Sequence, residues 1–364
     1  MSFSLPVYRS PDFDGDRFLA APNAAFAEVT VSGVAPEGFH VTSIYPEYFK
    51  IHGRWILACP SRMDAVPVLR DDGALDIVEF RNLVAGDRVV LGRSEDGSEG
   101  IFVHPDGFIT EDESDDVFAF RTGRSRETAY SSDYDKLYEL LRHERDHGRI
   151  VWVLGPAVVF DYDSKHALAQ LISLGYGHTV MAGNAMATHD LEGSLIGTAL
   201  GQDIYTQKPR PLGHYNHLDI INDVRRSGSL ESFIEDRGIQ DGVVHACISA
   251  GIPLILAGSI RDDGPLPPVY SDVYEAQDTM RGVIANATTV ICLATQLHTI
   301  ATGNMTPSYT VKEGRVRPVY LYNVDVSEFA VNKLRDRGTL EATTIVANVQ
   351  DFLVLLRNAV CGRR

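Results

Sequence analysis

Apolar and polar residues follow two different patterns along the chain, and the change lies near residue 130. Before that point, short runs rich in β-branched and aromatic residues are interrupted by Gly, Pro and Asp. The clearest of these runs occupy residues 26–34, 55–59, 65–69, 87–92 and 100–105. Short strands with frequent turn signals predict a small β-rich domain, which we place at residues 1–125.

After that point, apolar runs typical of buried strands alternate with segments of helical periodicity. Helices are predicted at residues 133–148 and 163–174 from the spacing of their apolar residues. Strands are predicted at residues 150–160, 178–183, 252–258, 288–294, 317–324 and 342–348. Near-continuous apolar strands separated by helices favour a mostly parallel sheet covered on both faces. The sequence therefore predicts an α/β, Rossmann-like domain over residues 126–364.

The net charge and the cysteine content of the chain limit its expected partners and its expected cellular compartment. The 364 residues carry a net charge of −16, and this acidity disfavours nucleic acid as a partner. The four cysteines are widely spaced without a CxxC pair, so we expect reduced thiols in the cytoplasm. The sequence shows neither a signal peptide nor an apolar run long enough to cross a membrane. The acidic stretch 111–118 is predicted to be a solvated linker.

Four turns rich in small residues follow predicted strands of the second domain. In a parallel sheet such turns lie at one edge, where ligands bind, and each following helix offers free N–H groups to a pyrophosphate. The candidate cofactor-binding residues are Gly155, Pro156, Ala157, Gly183, Asn184, Ala185, His189, Asp190, Gly258, Ser259, Thr295 and Asn304. The alternative is that Gly and Asn simply form tight turns. The G-x-G-x-x-G fingerprint is absent, so the motifs do not indicate a plain Rossmann dehydrogenase.

Charged residues near the same edge supply candidate chemistry. Asp325 ends a predicted strand, where it either accepts hydrogen bonds from a ribose or caps the next helix. In the loop after residues 252–258, Arg261 suits a substrate carboxylate, and Asp262 or Asp263 suits an amino group or a proton transfer. The alternative for that loop is a surface Arg–Asp pair with an Asp-Gly turn. His298 completes the catalytic candidates, and no histidine spacing supports a metal site.

Several long segments together resemble one known family. They are residues 182–201 (AGNAMATHDLEGSLIGTALG), 213–230, 252–272, 275–281 and 293–305 (LATQLHTIATGNM). They resemble the LOR/SDH conserved-domain family, which includes archaeal NAD-dependent ornithine cyclodeaminases and the C-terminal half of the cyanobacterial arginine dihydrolase/ornithine cyclodeaminase. The resemblance extends from Gly33 to Val360. It implies a small N-terminal β domain, a NAD domain similar to that of deoxyhypusine synthase, and a homo-oligomer, either a dimer or a tetramer.

The resemblance also implies a reaction. In an ammonia-lyase of this kind, bound NAD takes a hydride from Cα of ornithine or a related small amino acid, and an imine forms. The hydride returns after ring closure and loss of ammonia. Two alternatives remain: a net amino-acid or imino-acid dehydrogenase or reductase of the saccharopine type, and a NAD-binding regulatory protein without turnover. Residues Phe160-Asp161-Tyr162 stand where the family usually carries His-Thr-Gly, a change that could mean a different substrate. We also expect the β-rich domain to contribute substrate contacts.

Overall fold

The computed structural model describes residues 4–109, 131–262, 264–327 and 341–362. The predicted linker at residues 111–118, the predicted domain boundary at residue 125 and the candidate Asp263 lie outside the described residues. Within them, the predicted α/β fold is confirmed. It combines a large parallel sheet in the C-terminal region with small antiparallel sheets in the N-terminal region.

The N-terminal region is built from short antiparallel strands. Its elements are β1 (Val7–Tyr8), α1 (Asp16–Ala20), β2 (Ala25–Glu28), β3 (Glu47–Ile51), β4 (Arg54–Leu57), β5 (Val66–Leu69), β6 (Leu75–Val78), β7 (Arg88–Leu91), β8 (Ile101–Val103) and β9 (Phe108–Ile109). They form sheets in the orders β2-β7-β5-β6, β4-β3-β8 and β1-β9. Side chains such as Phe49, Val68, Val90 and Ile101 are fully buried between them, so this region has an apolar core of its own.

The C-terminal region alternates strands with helices. It begins with α2 (Ser131–His147), β10 (Ile150–Leu154), α3 (Tyr162–Ser173), β11 (Thr179–Gly183), α4 (Asn184–Ile196), β12 (Thr198–Ala199), β13 (Gln202–Asp203), α5 (Asn216–Ser227), α6 (Leu230–Arg237) and α7 (Val243–Ser249). It continues with β14 (Leu254–Ala257), β15 (Val269–Tyr270), α8 (Val273–Ile284), β16 (Thr289–Leu293), α9 (Gln296–Met305), β17 (Tyr309–Lys312), β18 (Arg315–Pro318), β19 (Tyr320–Asp325), β20 (Glu341–Val346) and α10 (Val349–Cys361).

Seven of these strands form one parallel sheet in the order β15-β14-β11-β10-β16-β19-β20. From β10 the chain adds β11, β14 and β15 on one side, and then returns to add β16, β19 and β20 on the other. The strand order therefore reverses between β10 and β16. At such a switch point the connections on either side of the sheet diverge and leave a crevice at the carboxyl ends of the strands.

Helices cover both faces of this sheet, as the continuous apolar strands predict. On one face, helices α2, α3, α4 and α10 bury a large cluster that includes Trp152, Leu171 and Phe352. On the other face, α8 packs Met280 and Ile284 against the strands. Every residue of β10 and β16 is buried, because both strands lie inside the sheet and are covered from both sides.

Two predicted strands are shorter than the sequence suggests. The predicted strand 150–160 ends at Leu154, because Pro156 has no N–H for a sheet ladder and begins a 3-10 helix (Pro156–Val159) instead. The predicted strand 317–324 is divided. Its first residues belong to β18, which forms an antiparallel hairpin with β17, and the parallel strand β19 begins at Tyr320.

The N-terminal region contacts the C-terminal region along α8 and the β17–β18 hairpin. Tyr309 of β17 donates a hydrogen bond to the carbonyl oxygen of Ala58. Arg281 of α8 lies 3.7 Å from the Glu79 carboxylate, and Arg81 contacts Asp278 of the same helix. These contacts place the N-terminal region beside one face of the parallel sheet.

The start of the central strand depends on an uncharged histidine. His178 Nδ1 accepts a hydrogen bond of 3.0 Å from the Ile150 N–H. Burial, together with repulsion from Arg149, lowers the pKa of His178 below its ordinary value. A proton on Nδ1 would remove this acceptor, so the folded chain binds that proton less readily than the unfolded chain does.

We therefore expect the folded state to lose stability as the pH falls below the ordinary histidine pKa of about 6.5, because the unfolded state then holds more protons. The free energy of unfolding should fall less steeply with decreasing pH in His178→Gln than in the wild type. Urea denaturation at several pH values measures this difference. Parallel curves for the two proteins would show that His178 does not contribute.

Candidate active site

A cleft of about 500 Å³ opens at the carboxyl ends of β10, β11, β14 and β16, over the point where the strand order reverses. It is lined by predicted cofactor and catalytic residues together, namely Gly155, Pro156, Gly183, Asn184, Ala185, His189, Ser259, Arg261, Asp262, Thr295 and His298. Apolar side chains, including Phe160, Leu218 and Ile221, form much of the remaining wall. Another cavity, of about 620 Å³, lies beside residues that precede β10 and β19, and none of the predicted site residues lines it.

Helix N-termini without side-chain caps surround this cleft. The 3-10 helix 156–159 follows Gly155, α4 follows Gly183 and α9 follows Thr295, and none of these three preceding residues caps its helix with a side chain. The 3-10 helix begins with Pro156, which has no N–H, so the free donors are those of α4 and α9. Elsewhere in the region, side chains cap α3, α6, α8 and α10. Uncapped N–H groups carry a partial positive charge and bind anions. The cleft can therefore hold a pyrophosphate on backbone groups, which fits a dinucleotide such as NAD.

Two glycines allow close approaches at this edge. A Cβ on Gly155 would collide with the carbonyl oxygen of Ala294, because the ends of β10 and β16 meet there. Ala294 itself adopts the left-handed conformation, with φ of 50°, as the chain turns sharply out of β16. A Cβ on Gly183 would lie 3.1 Å from Cε1 of His298, so this glycine makes room for the His298 ring over the end of β11.

The loop after β14 brings the predicted charged residues to the cleft. Asp262 Oδ2 accepts a hydrogen bond of 2.8 Å from the Ser259 N–H, which closes a tight turn. Arg261, in this turn, is exposed at the cleft. Burial lowers the pKa of His298, and the Asp262 carboxylate opposes that effect by favouring the charged ring. His298 therefore remains neutral to a lower pH than an exposed histidine does.

A second histidine of the cleft has a buried carboxylate partner. His189 lies on α4, and its Nδ1 donates a hydrogen bond of 2.8 Å to Oε2 of Glu192. Glu192 is fully buried and also accepts hydrogen bonds from the Thr198 hydroxyl and the Gly201 N–H. Burial alone would raise the pKa of Glu192, but these hydrogen bonds outweigh it and lower the pKa below the ordinary value. Glu192 is thus held as a carboxylate.

Asp190 does not line the cleft, although the sequence made it a cofactor candidate. Its Oδ2 accepts a hydrogen bond of 2.8 Å from the Val244 N–H in the first turn of α7, so it caps that helix from α4. Its Oδ1 lies 3.7 Å from Nζ of Lys165, and both side chains are fully buried. Asp190 holds α3, α4 and α7 together, and we do not assign it to the cofactor.

Four further candidates also lie outside the cleft lining. Gly258 donates its N–H to the carbonyl oxygen of Tyr270 and so extends the pairing of β14 with β15. The carbonyl oxygen of Ala157 accepts a hydrogen bond from Gln350 of α10. Asn304 lies in the last turn of α9, far along the helix from its cleft end. Asp325 Oδ1 accepts the N–H of Ser327 at 2.9 Å.

The expected contribution of the N-terminal region to the substrate site is not seen in the described chain. None of residues 4–109 lines the cleft, because this region packs against α8 and the β17–β18 hairpin instead.

The cleft and the sheet agree with comparisons to known proteins. The family model described as "Arginine dihydrolase ArgZ-like, C-terminal, Rossmann fold" matches residues 136–356. The chain belongs to this ArgZ-like family. The match covers most of the parallel sheet and all of the cleft residues, so the predicted resemblance is confirmed.

Two curated relatives of this family align with most of the chain. "Ornithine cyclodeaminase" of Methanocaldococcus jannaschii is 39% identical over 331 residues, which are 89% of this chain and 74% of that protein. "Bifunctional arginine dihydrolase/ornithine cyclodeaminase ArgZ" of Synechocystis is 37% identical over 337 residues, which are 90% of this chain but only 45% of that protein.

Solved structures of the ArgZ-like family share the fold. A conserved LOR/SDH protein of Methanococcus maripaludis superposes with a TM-score of 0.84 and 34% identity, and the match covers 93% of this chain and 98% of that one. AgrE in a ternary complex with ornithine and NAD+ gives a TM-score of 0.59 and 33% identity, with 94% of this chain and 47% of that chain covered.

The sequence did not single out Glu192. The signal that was available is its i, i+3 spacing from His189, because residues three apart on a helix lie on the same face. His217 and Phe160, which also line the cleft, lie with their rings 5.9 and 5.7 Å from that of His189. Neither of these could be placed beside His189 without the fold.

Among the described residues, the structure contains no helix long and apolar enough to span a bilayer. The cysteines at positions 59, 247, 292 and 361 are all free thiols.

Proposed function

We propose that this chain is a NAD-dependent ornithine cyclodeaminase, or a close relative that acts on a similar amino acid. One observation carries the proposal. Uncapped helix N-termini and a loop bearing an arginine and a carboxylate face the same cleft at the switch point of the sheet. The names of the relatives and the AgrE complex with ornithine and NAD+ support it.

The backbone N–H groups at the starts of α4 and α9, after Gly183 and Thr295, would hold the pyrophosphate of NAD. They lie at the carboxyl edge of the sheet, where dinucleotides bind in this class of fold. Within the described lining, Arg261 is the lone Lys or Arg side chain, so helix N-termini supply the binding that side chains do not. When bound, NAD supplies hydride acceptance and return at the substrate carbon.

The charged loop would bind the amino acid itself. Arg261 can hold the substrate carboxylate with its planar guanidinium, and Asp262 can accept the substrate ammonium. The apolar side chains of Phe160, Leu218 and Ile221 exclude water around the reacting carbon. His298 remains neutral near physiological pH and can accept a proton at the same end of the cleft.

A product balance separates this function from a net dehydrogenase. Purified protein incubated with NAD and ornithine is expected to form proline and ammonia in equal amounts, with no net NADH. Mass spectrometry of the amino acids, an ammonia assay and the NADH absorbance measure this. NADH formed in proportion to substrate would indicate a dehydrogenase instead. The absence of product from ornithine and from a panel of related amino acids would overturn the proposal.

We also propose that the chain forms a homo-oligomer in the cytoplasm. Exposed apolar side chains outside the cleft lie in the segment between α4 and α5, including Tyr205, Leu212 and Tyr215. Exposed apolar side chains of this kind support protein–protein contact. Free cysteines support a reducing compartment.

A further inference from the structure

We propose that His189 transfers protons to and from the substrate in the cleft, and that Glu192 is the positioning residue that sets its tautomer and orientation. This inference rests on the proposed function, because it concerns the same cleft. It replaces the expected role of His189 as a cofactor contact.

The hydrogen bonds of Glu192 fix the state of the histidine. Its carboxylate accepts from His189 Nδ1, from the Thr198 hydroxyl at 2.7 Å, and from the Gly201 and Leu200 N–H groups at 3.0 and 3.2 Å. All of these partners must donate, because an ionised carboxylate only accepts. The Leu200 N–H also lies 3.4 Å from Nδ1 of His189, but it is closer to the carboxylate, so Nδ1 is left to donate to Glu192. In the neutral ring, the proton is therefore on Nδ1, and Nε2 is the nitrogen free to accept a proton.

The position of the ring directs this chemistry to the cleft. His189 lines the cleft while Glu192, one turn further along α4, is fully buried behind it. The rings of Phe160 and His217 flank it on the sides of the 3-10 helix and α5. A buried carboxylate that orients a histidine and stabilises its charged form is a common arrangement for proton transfer.

The other histidines of the cleft have no such partner within the described residues. His217 Nδ1 is buried and makes no hydrogen bond there. His298 lies near Asp262, but the Oδ2 of that carboxylate accepts the Ser259 N–H. Of these three rings, His189 alone has a carboxylate within hydrogen-bonding distance to support both protonation states.

The proposed step is balanced in protons. Nε2 of neutral His189 takes one proton from a substrate ammonium, whose N–H electron pair stays on nitrogen and makes it a free amine. When the C–N bond later breaks, its electron pair goes to the departing nitrogen. His189 returns the proton to that nitrogen, so ammonia leaves and the ring is neutral again.

Glu192→Gln tests the positioning role, because glutamine keeps the length of the side chain and removes its negative charge. We expect kcat with ornithine to fall by about 10- to 100-fold, with the KM for ornithine and the Kd for NAD changed less than about threefold. Glutamine can either donate or accept at Nδ1, so it no longer requires the ring proton to be on Nδ1. A smaller fraction of the neutral His189 ring should then carry its proton on Nδ1 and have Nε2 free to accept one, and the 15N chemical shifts of the ring measure this fraction.

Asp203→Asn is the matched control. Asp203 lies in the same segment after α4, where its carboxylate accepts the Tyr205 and Thr206 N–H groups, but it does not line the cleft. This variant should keep both the kcat and the His189 tautomer of the wild type. A fall in kcat for Glu192→Gln without a change in the His189 tautomer would overturn the positioning role.

A second variant and a second readout keep the test independent of folding and of the overall reaction. His189→Gln should lower kcat by at least about a hundredfold, and unchanged turnover would overturn the proposal. The 15N NMR shifts of the His189 ring in the apoprotein report, without turnover, which ring nitrogen carries the proton. A loss of the tautomer with the proton on Nδ1 in Glu192→Gln would support the pair even if no amino acid reacted, an outcome that would contradict only the proposed function. An unchanged tautomer would contradict the pair itself.

Discussion

Replacing Asp262 with asparagine is expected to lower the turnover of ornithine by about a hundredfold or more, a loss in the general acid–base range. The physical reason is the lost charge, because a neutral amide no longer attracts the substrate ammonium. The amide oxygen can still accept the Ser259 N–H, so the turn after β14 should remain closed. Steady-state kinetics with ornithine measures the effect.

Calorimetry with NAD provides the control for this variant. The proposed pyrophosphate contacts are backbone N–H groups after Gly183 and Thr295, so the affinity for NAD should stay nearly intact. Wild-type turnover in Asp262→Asn would show that the loop is structural, as in the surface-pair alternative. A parallel loss of NAD binding would show that the substitution disturbs the whole cleft.

Replacing Lys165 with methionine is expected to destabilise the protein by about 3–5 kcal/mol, because it leaves a buried carboxylate without its partner. Lys165 and Asp190 are both fully buried, and Nζ also donates to the Asp190 carbonyl oxygen at 2.8 Å. Burial raises the pKa of Asp190, and the Lys165 charge opposes that rise. Urea denaturation at neutral pH measures the loss.

The pH dependence gives a second signature of the same defect. Without Lys165, the pKa of Asp190 in the folded chain should rise further above its unfolded value. The folded state is then more stable with Asp190 protonated than with Asp190 ionised, so the loss in the free energy of unfolding should become smaller as the pH falls. Arg210→Met removes the exposed partner of Asp203 and serves as the control, with an expected loss of stability much smaller than that of Lys165→Met. Equal losses in the two variants would contradict the role of the buried pair.

The sheet could be predicted from the sequence because most of its strands are apolar along nearly their whole length. This pattern arises when helices cover both faces of a sheet, and it holds for β10, β11, β14 and β16. The hairpin β17–β18 was missed because its second strand leads directly into β19. Apolar runs alone do not show where antiparallel pairing ends and parallel pairing begins.

The edge that carries the cleft was also predictable, since alternating strands and helices place their turns at one end of the sheet. The rotation of each helix about its own axis could not be predicted from the sequence. Asp190 follows His189 by one residue, which is about 100° around α4, and this turns it from the cleft towards α7. Glu192 stays on the side of His189. The sequence fixes these relative angles but not which side faces the ligand.

Gly258 illustrates a different limit. Its position after β14 matched the expected phosphate turn, but its N–H is used by Tyr270 in the edge strand β15. That strand contains only Val269 and Tyr270, too short a run to be recognised from apolar pattern. The N–H of a turn glycine at the edge of a sheet can thus bind either a ligand or a neighbouring strand. It is available to a ligand only where no strand pairs with it.

The uncapped helix N-termini have a consequence for how this site can change in evolution. Side-chain anchors of a cofactor disappear with a single substitution, whereas a backbone N–H is removed only by proline. Substitutions around the cleft, including at Arg261 and in its loop, can therefore change which amino acid binds, while the backbone groups that bind the pyrophosphate are retained. Such a scaffold tolerates broad divergence in substrate choice around an unchanged cofactor.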